Sequence, residues 1–242
     1  MSKVYTVISG KGGVGKTTIS ANLGVSLTQM HKKTVVVDAD LAMGGIATIL
    51  GLGEIPVTLH EVLAGKGSIE KAIYSTHGLD VLPSGPTIAG FLKTDPKKLD
   101  DVVNKLKRTY DYVIIDSPPS LNKYSLAPLK NADEVLLVVT PDLPAVQATA
   151  KLQSVIATID ANVRGVIVNR FRMQSFFPWL FGVKGSMQKG EIERRLKAKV
   201  VGVIPEDRAV IEATNMKKSV VLYKQKSYAS KAIKAIAKNL TH

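Results

Sequence analysis

The chain has 242 residues, enough for one large α/β domain or two small ones, and its lack of cysteine excludes disulfides, thiol nucleophiles and cysteine-held metal clusters. Its 33 lysines and arginines against 20 aspartates and glutamates leave a net charge of +13; that favours a polyanionic partner, or a merely solvated basic surface, because the excess is spread along the chain. No apolar run reaches the roughly 18 residues of a membrane-spanning helix, and the opening "KVYTVIS" has no secretory signature, so a cytoplasmic protein is expected.

The elements follow in chain order. "VYTVIS" (4–9) is β-branched and apolar on both faces, as strands of a covered parallel sheet are. "GKGGVGKT" (10–17) fits the pattern G-x-x-x-x-G-K-[ST] and runs into the helical "TTISANLGVSLTQM". A strand before the loop and a helix after it make the pattern a phosphate site. Glycines let successive N–H groups turn inward, and the helix N-terminus adds positive potential. The nucleotide-binding candidates are Gly10, Lys11, Gly12, Gly13, Val14, Gly15, Lys16, Thr17 and Thr18. Lys16 is expected at the β- and γ-phosphates and Thr17 at Mg²⁺.

"TVVVD" (34–38) is the next strand and carries Asp38, with Asp40 two residues on. "TLHEVLAG" (58–65) has a capping box, Thr58 with Glu61, and stops at a glycine. "LDVLP" (79–83) is a strand, and "PKKLDDVVNKLKRTY" (96–110) spaces Leu99, Val102, Val103 and Leu106 as one helical face. "YVIID" (112–116) ends in Asp116, placed to hold Mg²⁺ through water. In open α/β sheets ligands lie beyond the carboxyl ends of strands, which gathers Asp38, Asp40 and Asp116 near the loop. The alternative is that such aspartates cap following helices. "VLLVVT" (135–140), "GVIVN" (165–169) and "VVGVIP" (200–205) complete the strands. Alternating β and α elements predict an α/β fold: a doubly wound, mostly parallel sheet with helices on both faces, as one domain over 1–242.

Asn169 ends a strand with an amide that can both donate to and accept from adenine. The nearest guanine-type motif, "NKYS" (122–125), lacks its aspartate, so GTP is not expected. "SFFPWLFGVKGSMQK" (175–189) concentrates Phe176, Phe177, Trp179 and Phe181 in a loop position, flanked by Arg170, Arg172, Lys184 and Lys189. This aromatic and basic stretch, about 171–189, is expected either to form a contact with a membrane or protein or to fold back as a local core. "SYASKAIKAIAKNLTH" (227–242) sets Ile233, Ile236 and Leu240 opposite Lys231, Lys234 and Lys238. Such a helix is either a basic amphipathic anchor or the last helix packed on the sheet.

The loop K-G-G-x-G-K-T, the V-D-x-D element and the I-I-D-[ST]-P-P element, in this order, resemble the MinD/ParA family of P-loop ATPases, of the SIMIBI class. The resemblance runs from Lys3 to about Leu240 and includes "LDVLPSG" (79–85). It implies ATP and Mg²⁺ as cofactors and a homodimer formed on ATP. It also gives Lys11 a role, reaching across the dimer to the phosphates of the other subunit. Asp40 would orient the attacking water, Asp38 would assist at the magnesium shell, and Pro205, Glu206 and Asp207 would lie against the base. Glu206 and Asp207 read equally well as favourable charges at a helix start. The implied activity is slow ATP hydrolysis raised by an activating or regulatory protein. MinD-type members position the division site at an anionic membrane as peripheral proteins; ParA-type members partition cargo on nonspecific DNA.

Overall fold

Strand β1 (Lys3–Ile8) lies inside an eight-stranded sheet of the computed structural model, which describes residues 2–120, 123–172 and 187–242. The other strands are β2 (Thr34–Asp38), β3 (Tyr74–Thr76), β4 (Leu79–Leu82), β5 (Tyr112–Asp116), β6 (Glu134–Val139), β7 (Val163–Phe171) and β8 (Val200–Pro205). Their spatial order is β3-β4-β2-β5-β1-β6-β7-β8, and only the β3–β4 pair is antiparallel. From β1 the chain builds one side of the sheet, returns with β5 against β1, and crosses to the other side with β6. The loop after β1 therefore opens at the switch in strand order, where α/β sheets place ligands.

Alternate residues of the central strands feed opposite layers. Val36, Ile114, Leu136 and Val138 join the layer with the helices Lys16–Thr28 and Tyr228–Asn239. Val35, Val37, Val113 and Ile115 join the layer with Leu59–Leu63 and Leu99–Leu106. Val135, Leu137 and Val139 face Leu143–Thr158 and Lys189–Leu196. Both faces are covered, which is why the strands read as continuous apolar runs.

Each strand expected from sequence is present. The added one, β3, is three residues long and pairs with β4 through a turn in which His77 and Gly78 have φ of 55° and 77°. The helix expected over 96–110 is shorter: a 3₁₀ turn at Pro96–Lys98 precedes the α-helix Leu99–Leu106. The Thr58–Glu61 capping box forms as expected. In the last helix Ile233, Ile236 and Leu240 are buried, and the Tyr5 hydroxyl donates to the Leu240 carbonyl at 3.0 Å. That helix packs on β8 and on Lys16–Thr28, so its apolar side belongs to the core. Phe176, Phe177, Trp179 and Phe181 lie outside the described residues.

Candidate nucleotide and metal site

The backbone reverses through residues 9–15 between β1 and the helix Lys16–Thr28. Gly13 and Gly15 take φ of 78° and 96°, a region that L side chains rarely occupy. Gly10 is needed for a different reason. A Cβ there would lie 2.3 Å from the Ala148 carbonyl carbon, because the loop is pressed against the helix Leu143–Thr158. The helix starting at Lys16 has no side-chain cap and no acidic residue in its first turn. Its free N–H groups and dipole are therefore available to an anion.

Lys16 is only 7% exposed and acts electrostatically on both Asp116 and Asp40. Asp38 and Asp116 end neighbouring strands in register, which brings two buried carboxyls side by side. Asp116 Oδ1 accepts from Ser20 Oγ at 2.9 Å, and the nearby Thr17 hydroxyl favours the charged carboxylate. Asp38 Oδ2 accepts from the Ile46 N–H at 3.1 Å. Their other oxygens, Asp116 Oδ2 and Asp38 Oδ1, are buried without a partner. Burial, then the Asp116 carboxylate, push the Asp38 carboxyl up to about 8. Burial also raises Asp116, against the opposing pull of Lys16. Asp40 accepts from the Met43 N–H at 3.2 Å; burial raises its carboxyl and the Lys16 ammonium lowers it. Two orphaned, mutually repelling carboxylate oxygens beside a hydroxyl suit a hard divalent cation. Thr17, Asp38 and Asp116 thus fit Mg²⁺.

This burial, with the repulsion, predicts a pH effect on the metal-free protein. Asp38 is raised in the fold relative to the unfolded chain, so its protonated form favours the fold. That stability is full below about pH 4 and is lost as pH rises to about 8. Asp38→Asn removes the effect and can still accept from Ile46. In EDTA its melting temperature should exceed the parent's by roughly 5 °C above pH 8, and the gap should close toward pH 4. A gap independent of pH would contradict this.

Lys11 is half-exposed and stands apart from Lys16. Its Nζ lies 3.8 Å from Asp142 Oδ1, whose carboxylate also caps the helix Leu143–Thr158 through the Ala145 N–H. A cleft of about 290 Å³ opens on the other side of the loop, lined by Gly15, Thr18, Asn169, Arg170, Pro205, Glu206, Asp207 and Ile211 among others. Asn169 donates one amide hydrogen to the Val14 carbonyl at 2.8 Å, which leaves its oxygen able to accept a hydrogen bond at the cleft. The Asp207 carboxylate accepts from the N–H groups of Ala209 and Ala229 and starts the helix Arg208–Asn215, while the residue also lines the cleft. Glu206 accepts from Arg172 Nε at 2.7 Å beside the cleft. Sequence reasoning misses Ser20 and Asp142 as site residues, and it reads Arg170 and Arg172 only as flanks of the aromatic stretch. Ser20 had a usable signal, since it sits one turn after Lys16; Asp142 had another, a helix cap preceding "LP".

A family model described as an AAA domain matches residues 2–168. An uncharacterised ATP-binding protein of Methanocaldococcus jannaschii is 37% identical over 99% of this chain and 88% of its own length. The septum site-determining protein MinD of Synechocystis is 31% identical over 99% of this chain and 90% of its own. The structure of septum site-determining protein MinD from Pyrococcus horikoshii, complexed with Mg-ADP, matches with a TM-score of 0.91 and 31% identity over 99% of this chain and 96% of that one.

Proposed function

The chain belongs to the MinD/ParA family of P-loop ATPases, and from that membership we propose that it binds and slowly hydrolyses Mg·ATP, dimerises on it, and regulates placement of the division site. The carrying observation is Lys16, buried between Asp116 and Asp40 at an uncapped helix N-terminus beside two orphaned carboxylate oxygens. Lys16 and the loop N–H groups bind the phosphates. Thr17, Asp38 and Asp116 hold Mg²⁺, which neutralises charge on the phosphate oxygens when bound. Asp40 orients the attacking water. Asn169 and Pro205 receive the adenine. Lys11, free of the phosphate cradle and only loosely paired at the rim, approaches the nucleotide of a second copy. Phosphate release should require both ATP and Mg²⁺, with GTP a poor competitor. Failure to bind ATP would overturn the reading.

Lys11→Ala should keep ATP affinity within about threefold and lose ATP-dependent dimerisation and most turnover. A cation supplied in trans is worth roughly 10³–10⁵-fold where it has been measured in related chemistry. Sedimentation with ATP checks this, and a normal dimer would remove Lys11 from the interface role. A regulatory protein that raises turnover belongs to the same reading.

A second reading, a ParA-like ATPase on nonspecific DNA, is favoured by the +13 charge. No helix among the described residues is long and apolar enough to cross a membrane. Co-sedimentation with anionic liposomes and with plasmid DNA, each with ATP and ADP, separates a peripheral membrane protein from a DNA-bound one.

A further inference from the structure

His60 lies on the short helix Leu59–Leu63, outside the phosphate cradle, yet is only 1% exposed. Its Nε2 is 2.8 Å from the carbonyl oxygen of Leu41. A carbonyl can only accept, so Nε2 carries the hydrogen and donates. Leu41 is the residue after Asp40. The other ring nitrogen, Nδ1, is buried with no partner. It sits where Gly85 and Gly90 leave room: a Cβ on either would come within 2.3 or 2.8 Å of it. The ring is thus packed tightly even though one polar atom goes unsatisfied, which calls for an explanation.

The supports of this ring are rigid. Thr58 and Glu61 close the capping box at the start of the His60 helix. The Leu59 N–H donates to the Pro83 carbonyl at 2.8 Å, which ties the helix to the chain leaving β4. The segment on the other end of the strut is loosely held. After Leu41 the chain is exposed at Ala42, Met43 and Gly44, with Met43 83% exposed. Asp40 itself takes a hydrogen bond from Met43, within this exposed stretch.

We propose that His60 is a positioning residue for hydrolysis, fixing through the Leu41 carbonyl the backbone from which Asp40 projects. The proposal rests on the reading of Asp40 as the water-orienting group. Misplacing such a group by about 1 Å can lower turnover about 10²-fold without altering substrate binding. His60→Phe keeps an aromatic ring, somewhat bulkier, and removes the donor, so kcat should fall between about tenfold and a hundredfold while KM and the ADP dissociation constant stay within about twofold. His60→Gln keeps a donor at similar reach and should recover most of kcat. His60→Asn, whose amide is too short, guards against poor folding of the phenylalanine variant and should match its loss. In an Asp40→Asn background, His60→Phe should cause no further fall, because both changes disable one group.

Full kcat in His60→Phe or His60→Asn overturns the proposal, as does a further fall in the Asp40→Asn background. Loss of thermal stability with kcat intact would show a purely structural histidine. Should Asp40→Asn alone turn over normally, the reading of Asp40 fails, whatever the His60 variants do.

Discussion

Lys16→Ala should raise the dissociation constant for Mg·ATP by more than about 10²-fold. Two losses combine. The cation proposed to meet the β- and γ-phosphates is gone. Asp116 and Asp40 also lose the ammonium that now opposes the effect of their burial. Leaving buried charges without a partner costs roughly 3–5 kcal/mol, so the two carboxyls should shift further toward their protonated forms, which bind a metal poorly. The metal-free variant should still fold, since protonation relieves the repulsion. Anisotropy of a fluorescent ATP analogue measures the affinity, and circular dichroism checks the fold. An affinity within about threefold of the parent would take Lys16 out of the phosphate site.

Asp40→Asn should bind Mg·ATP normally and hydrolyse it roughly 10²–10⁴-fold more slowly. Asparagine keeps the shape and can still accept from the Met43 N–H. It cannot act as a charged acceptor for the proton of an attacking water. Single-turnover phosphate release separates the chemical step from product release. Unchanged turnover would move the role elsewhere, first to Asp38, whose raised carboxyl and unpaired Oδ1 are next to the same cradle.

Much of this site was legible in the residues because its parts are local. A strand, a glycine loop and a lysine-threonine pair are contiguous, and the continuous apolar strands announce a sheet covered on both faces. Asp38 and Asp116 could be placed together because each ends such a strand, and the register pairs them directly. Other features depend on distant partners and leave no periodic trace. Arg172 meets Glu206 across 34 positions, from the ends of two neighbouring strands. His60 is visible in sequence only as part of a short capped helix; its contact with Leu41 exists because that helix packs back against the turn after β2. Strand β3 escaped because Tyr74-Ser75-Thr76 is short, partly exposed and held only against β4. Asp207 starts a helix, with its carboxylate on two backbone N–H groups, and it also lines the cleft beside Asn169. The roles of Asp40 and Lys11 came from family resemblance, because spacing alone says nothing of water or of a second subunit.

ATP is proposed to join two copies of this chain, and hydrolysis to separate them. Sedimentation velocity of the Asp40→Asn protein, with Mg·ATP in one cell and Mg·ADP in another, tests it directly, because slow turnover preserves the ATP state during the run. A dimer with ATP and a monomer with ADP is the predicted result; the same species in both cells would contradict the account.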